Sequence, residues 1–226
     1  MSNIPVPPAI AKIAPDGNLT PRQKRRFIID MILRHVKPGT GSSHEFMRRR
    51  TAMNPWPDLR PILKGTKWAM IGGVATRAYM PERMTKDMDI LVHEADGGAV
   101  IRKLEEAGYR VVSKLAVPGY LMLSPDGIEV DVLFGDYLWL EEALTNTKRD
   151  AAGYPIIGLP YLTILKMRAQ RAQDWADVSR MLGWASEADL DEVRAVVKRY
   201  APEDLEDLES LIFIGKKEQE IPPGEG

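Results

Sequence analysis

The chain has 226 residues, 44% hydrophobic and 28% charged, which is enough apolar material for one ordinary globular domain with room for an appendage. It contains no cysteine, which excludes disulfides, thiolate metal sites and thiol nucleophiles. No apolar run approaches the length of a membrane span and the N-terminus lacks a signal-peptide core, so the expected setting is the cytoplasm, without a membrane partner. The formal net charge of −1 hides an asymmetry: residues 1–67 carry 13 Lys and Arg against 4 Asp and Glu, a net +9, and the remainder carries 18 against 28, a net −10. Such an imbalance between halves hints at a polyanionic partner.

Residues 1–19, with Pro5, Pro7, Pro8 and Pro15, read as a flexible tail. Thr20-Pro21 opens a helix, with Thr as N-cap and Pro at the first helical position, and Phe27, Ile28, Met31, Ile32 and Val36 form its apolar stripe. Arg22, Lys24, Arg25 and Arg26 crowd its first turns, where the helix dipole disfavours them. They fit a solvated face or a phosphate-binding end equally well. Pro38–Ser43 is a loop, His44–Met53 fits a short helix carrying Arg48, Arg49 and Arg50, and Pro55-Trp56-Pro57 breaks it before a turn that Asp58 is placed to cap. Residues 20–66 are thus a basic helical extension. A core domain follows over 67–158, then a helical region over 159–215 and a polar tail over 216–226.

Within the core, Trp68–Ile71 reads as a buried strand ending at Gly72-Gly73, and Val74–Tyr79 as a helix ended by Pro81. A glycine pair between strand and helix lets a ligand approach the backbone closely and presents free N–H groups to it, which suits a phosphate. Asp87–Val92 is a second strand; Asp87 and Asp89, two residues apart, share one of its faces. Adjacent carboxylates repel, and a divalent cation relieves the repulsion. A third carboxylate, Asp131, lies in the alternating strand Ile128–Phe134, which enters from the turn Ser124-Pro125-Asp126-Gly127 and pairs with Tyr120–Leu123 as a hairpin. Glu129 shares its face, opposite Ile128, Val130 and Val132. Ala99–Ala107 and Tyr137–Leu144 read as helices, Tyr109–Lys114 and Ile156-Ile157 as strands. Pro160 opens a helix carrying Lys166, followed by amphipathic helices over Trp175–Trp184, Glu187–Tyr200 and Pro202–Ile214. The fold class is α/β (α+β), a mixed sheet flanked by helices.

In combination, Gly72-Gly73, Arg83-Met84-Thr85-Lys86-Asp87-Met88-Asp89 and Asp131 resemble the nucleotidyltransferase superfamily that includes DNA polymerase β. The Arg-x-Thr-x-Asp-x-Asp form is similar to its small bacterial members, the AbiEii-type toxins and the minimal nucleotidyltransferases. Leu165–Asp177 resembles the Lys-x-x-Ala-x-Arg-x-Lys-Asp-x-x-Asp helix of the same group, with Gln173 where a lysine is common. The resemblance spans Trp68–Leu182 and implies Mg²⁺ (or Mn²⁺) held by Asp87, Asp89 and Asp131, and a nucleoside triphosphate, ATP among the candidates, over Gly72 and Gly73 with Arg83 and Lys166 as phosphate cations. It also implies transfer of a nucleoside monophosphate to an acceptor hydroxyl. The AbiEii-type members point to tRNA 3′ ends in a toxin–antitoxin setting, the minimal members to tyrosines of a partner protein, and other members to antibiotics; an inactive nucleotide-binding module is the non-enzyme alternative.

Without the resemblance, Lys166 reads as a surface lysine and Arg83 as a salt-bridge partner, while Arg77, one helical turn past the glycines, fits a phosphate contact and a solvated position equally well. Asp174 and Asp177 read as structural, and His35, His44 and His93 have no metal-ligand spacing. The five tryptophans read as packing groups. Arg22, Arg25, Arg26, Arg48, Arg49 and Arg50 are the candidate RNA-backbone contacts.

Overall fold

The computed structural model describes residues 6–35, 56–81, 85 and 87–219. Seven strands form one mixed sheet: β1 (Trp68–Ile71), β2 (Met88–His93), β3 (Arg110–Lys114), β4 (Gly119–Leu123), β5 (Glu129–Gly135), β6 (Lys148–Arg149) and β7 (Pro155–Ile156), in the order β3-β4-β5-β2-β1-β7-β6. β1 and β2 are antiparallel with Ile71 opposite Asp89, whereas β2 and β5 are parallel with Asp89 opposite Asp131. All four residues of β1 are buried, as expected for a central strand covered on both faces. Met70, Ile90, Leu91, Val130 and Val132 are among the strand residues buried in the core. The hairpin between β4 and β5 turns on Ser124–Gly127, where Gly127 N donates to Ser124 O at 3.0 Å and Ser124 N to Ile128 O at 2.9 Å.

The helices are α1 (Pro8–Ala11), α2 (Pro21–His35), α3 (Gly72–Ala75), α4 (Glu94–Glu106), α5 (Leu140–Thr145), α6 (Leu159–Ala169), α7 (Ala172–Trp184), α8 (Glu187–Tyr200) and α9 (Leu205–Gln219). α4 packs on β2, β3 and β5, while α6–α9 form a C-terminal bundle that α2 joins through α9. Inside the bundle, α7 and α9 touch backbone to backbone: a Cβ on Gly215 would lie 2.0 Å from Ser179 O, and one on Gly183 would lie 2.5 Å from Gly215 O. Thr20 caps α2 as expected, its Oγ1 accepting from Gln23 N at 3.3 Å while Gln23 Oε1 accepts from Thr20 N at 2.9 Å. No described helix is long and apolar enough to cross a membrane.

Several boundaries differ from the sequence reading, each for a local reason. The helix expected over Val74–Tyr79 starts at Gly72 and tightens to a 3₁₀ turn at Thr76–Ala78, where Thr76 Oγ1 donates to Gly73 O at 2.7 Å. α4 starts at Glu94 rather than Ala99 because His93 caps it, Nδ1 accepting from Ala95 N at 3.3 Å. Its Gly97 faces the Phe134 ring, 2.9 Å from where a Cβ would sit, so the glycine serves packing and does not break the helix. Tyr137 stacks on Trp139 at 4.7 Å, and α5 starts only after that stack, at Leu140. Within the expected N-terminal tail, Pro8–Ala11 is helical and Ala14 is buried. At the other end α9 continues to Gln219, past Ile214. The short strand β6 has no sequence signal; it forms because Lys148 and Arg149 pair with Ile156 and Pro155.

Candidate active site

The parallel pairing of β2 with β5 sets Asp89 beside Asp131, and the two-residue strand period puts Asp87 on the same face as Asp89. One carboxylate oxygen from each of Asp87, Asp89 and Asp131 lies within 4.8 Å of the others, and all three side chains are partly buried. Thr85 Oγ1 donates to Asp87 Oδ1 at 2.8 Å and so fixes the carboxylate that precedes the strand. Burial first, and then the charges of Asp87 and Asp131, push the Asp89 carboxyl up to about 6; Lys166 and Arg171 pull it partly back. Asp131 is also raised, by burial and then by Asp87 and Glu129. Three crowded carboxylates held against their own repulsion are a hard-oxygen donor set that fits Mg²⁺ or Mn²⁺.

Gly72 is the floor of this cluster. Its φ is +64°, and a Cβ there would lie 1.8 Å from Asp89 Oδ2. The residue is therefore glycine for two separate reasons: the left-handed turn from β1 into α3, and the space the Asp89 carboxylate fills. Gly73 is buried next to it, within the first turn of α3, whose leading N–H groups have no acceptor inside the helix.

The second sequence block is broken rather than continuous. Gln170 takes the left-handed conformation (φ 58°), ending α6, and Arg171 precedes α7. The corner folds Lys166 back against the first turns of α7. Its Nζ donates to Asp174 Oδ1 at 3.0 Å and to Asp177 Oδ2 at 2.7 Å, in a group with side chains 4%, 2% and 0% exposed. Lys166 therefore does not present a free ammonium to a ligand; its proximity to two buried acids takes that capacity, although its charge still reaches Asp89. Asp174 also holds Arg171, with Nε donating to Oδ2 at 2.5 Å, and the Arg171 side chain remains 75% exposed. Asp174, then Asp89 and Asp87, favour its charged form. Among the described residues, Arg171 is the exposed cation beside the carboxylates. In sequence it was signalled by its place as the Arg of the Lys-x-x-Ala-x-Arg pattern and by its i, i+3 spacing from Asp174. Asp174 and Asp177 are structural, as expected, but they hold side chains and do not cap α7.

Other candidates are placed as follows. Arg25 lies 3.3 Å from Asp204 and 3.1 Å from Asp207, and Arg26 lies 2.8 Å from Glu206, so both are paired to α9 and the 3₁₀ turn Pro202–Asp204 before it. Arg22 and Lys24 are exposed. Arg77 sits over the Trp56 ring at 5.4 Å. Trp139 and Trp175 are fully buried. Arg48, Arg49, Arg50 and Arg83 lie outside the described residues, as does His44.

No family model matches the chain, and no curated protein does. Among solved structures, similar ones include ANT(2″)-Ia in complex with adenylyl-2″-tobramycin (17% identity, 66% of this chain and 88% of that chain, TM-score 0.39). Another is the Cid1 poly(U) polymerase (15%, 74% and 54%, TM-score 0.28). A third is terminal uridylyl transferase 4 from Trypanosoma brucei with bound GTP (12%, 80% and 58%, TM-score 0.27). With TM-scores below 0.5, none of them bears on the chemistry of this chain, which rests on its own residues.

Proposed function

We propose that the chain is a metal-dependent nucleotidyltransferase, moving a nucleoside monophosphate from a nucleoside triphosphate to an acceptor hydroxyl. The observation that carries this reading is the convergence of Asp87, Asp89 and Asp131 beside a glycine whose missing side chain makes room for one of them. Asp87, Asp89 and Asp131 would hold Mg²⁺ or Mn²⁺. When bound there, the cation offsets charge on the phosphates and on the acceptor oxygen. The acceptor oxygen attacks the α-phosphorus, the bond from that phosphorus to the bridging oxygen breaks, and pyrophosphate leaves with the β- and γ-phosphates. The Gly72-Gly73 turn lets the triphosphate lie against backbone, and Arg171, aimed by Asp174, supplies an exposed guanidinium for its charge. We assign Lys166 the supporting role of fixing Asp174.

The intact carboxylate set favours an enzyme over an inactive binding module. For the acceptor we put an RNA 3′ end first, tRNA among the candidates, because the N-terminal third is basic; a cytoplasmic setting belongs to the same reading. A hydroxyl on a cognate toxin or antitoxin protein or on an antibiotic is the other outcome. The test is to incubate the protein with each nucleoside triphosphate, Mg²⁺ and these acceptors, and to follow pyrophosphate release and acceptor intact mass. The acceptor should gain one nucleotide residue, and EDTA should abolish the gain. Pyrophosphate release or labelling that persists in EDTA would overturn the reading.

A further inference from the structure

At the N-terminal end of β1, away from the triad, the surface opens into a cleft of about 430 Å³. Trp68 lines it while Gly72 lies at the other end of the same strand, roughly 13 Å along at about 3.3 Å per residue. Four cations line the cleft, Arg60, Lys64, Lys67 and Arg149, with apolar walls from Leu63, Trp68 and Leu144, and no carboxylate side chain faces into it. A fifth cation, Lys103, stands behind, donating to Lys64 O at 3.1 Å and Thr66 Oγ1 at 2.9 Å.

The cations differ in how they are held. Arg60 is fixed from three sides: Nε and Nη2 donate to Asp58 at 2.7 and 2.9 Å, Nη1 donates to Ala152 O at 2.9 Å, and the guanidinium lies over the Tyr154 ring at 4.8 Å. Lys67 is paired with Glu141 and also donates to Thr145 Oγ1 at 3.1 Å. Among the described residues, Lys64 and Arg149 have no carboxylate partner; Arg149 Nη1 donates only to Gly153 O, at 2.8 Å. Five cations against Asp58, Glu141 and Asp150, whose charge also acts on Arg60, leave a net +2 in a concave wall, a shape that concentrates positive potential.

We propose that this cleft is a second phosphate-binding site, separate from the catalytic centre, where Lys64 and Arg149 engage phosphate groups between the fixed Arg60 and Lys67. The chemistry suits a nucleic-acid backbone laid across the cleft, and it suits a free pyrophosphate or nucleotide; the volume admits either. The site stands without the transfer chemistry, because its residues are distinct from Asp87, Asp89, Asp131 and Arg171.

Binding in EDTA separates the two sites, since the triad then lacks its cation. Wild type and the Lys64→Gln/Arg149→Gln double variant are titrated with a fluorescent single-stranded RNA 20-mer and, separately, with inorganic pyrophosphate, across a salt series. Both side chains are exposed, so the variant should keep the wild-type melting temperature. For a backbone ligand, RNA affinity should fall about tenfold and the log–log salt slope should decrease by about 1.4, two contacts at about 0.7 each. Arg149→Lys should restore most of the loss. If pyrophosphate affinity falls and RNA affinity does not, the site stands and its ligand is a small free anion. Unchanged affinity and slope for both probes would overturn the proposal.

Discussion

Replacing Asp89 by asparagine tests whether the three carboxylates are held in mutual repulsion. In the metal-free protein the Asp89 carboxyl is pushed up to about 6 by burial and by Asp87 and Asp131. The unfolded chain ionises it at about 3.9. Between those values the folded state holds more protons than the unfolded state, so stability falls as pH rises. The contribution of protonated Asp89 is fully present below about pH 4 and lost as pH climbs through about 6. A displacement of about 2 pH units corresponds to a ceiling of about 3 kcal/mol carried as a cost at pH 8. An asparagine side chain in its place keeps the volume, carries no charge, and has an amide that can donate to Asp87 or Asp131. In EDTA at pH 8, Asp89→Asn should therefore melt above wild type, by up to about 6–12 °C for a chain of this size, and the gap should close by pH 4. Saturating Mg²⁺, at about a hundred times its dissociation constant, should raise wild type by about 2.7 kcal/mol and the variant by much less. Differential scanning calorimetry at four pH values, with and without Mg²⁺, gives every term. A variant less stable than wild type at pH 8 in EDTA, or a gap independent of pH, would refute the reasoning.

Four further outcomes follow from the same contacts. Gly72→Ala should lower the melting temperature and abolish transfer together, since it costs about 1–2 kcal/mol in the left-handed conformation and drives Asp89 out of its seat; wild-type activity in this variant would remove Gly72 from the site. Arg171→Gln should raise the KM for the triphosphate at least tenfold while destabilising far less than loss of Lys166, because Lys166 still pairs Asp174 and the Arg171 side chain is 75% exposed. Lys166→Met removes the buried cation that Asp174 and Asp177 share and should cost about 3–5 kcal/mol by urea unfolding; a loss below about 1 kcal/mol would mean that water already reaches the pair. Arg25→Gln should destabilise by a similar amount, since Asp204 and Asp207 are buried opposite it, whereas Arg22→Gln should change stability little.

The sheet was legible wherever one rule decided the structure. Trp68–Ile71 is a strand with the expected bounds because four apolar residues meet a glycine pair, and Asp87, Asp89 and Asp131 share a face because the strand period is two. Composition hid what depends on neighbours distant in sequence. Gly72 reads as a turn residue, and its second function, making room for Asp89, appears only once β1 lies beside β2. Lys166 reads as a surface helix lysine because the sequence does not show how sharply its helix turns into the next. The left-handed Gln170 breaks that helix, and a non-glycine residue in that conformation has no composition signal. The same break exposes Arg171, so a single backbone torsion exchanges which cation is buried and which faces the carboxylates.

The charge asymmetry between the two ends of the chain also changes meaning once they are in contact. Read along the sequence, +9 over residues 1–67 invites a polyanion from outside. In three dimensions part of that charge is already answered: Arg25 and Arg26 bind Asp204, Glu206 and Asp207, and α2 packs on α9 with Ile29 buried. Burial raises the carboxyls of Asp204 and Asp207, and Arg25 opposes that rise in both. Without Arg25, two buried acids would face each other with Arg26, 3.8 Å from Asp207, beside them, so α2 acts as a clamp on the C-terminal bundle. Arg25 and Arg26 are therefore not available to an external phosphate. Arg22 and Lys24 remain exposed on α2, and a concave group of cations with no carboxylate in its lining is the Lys64 and Arg149 cleft at the far end of β1. This assigns different work to cations that the sequence alone does not distinguish. Arg25 should matter to unfolding and not to the salt dependence of RNA binding, while Lys64 and Arg149 should matter to the salt dependence and not to unfolding.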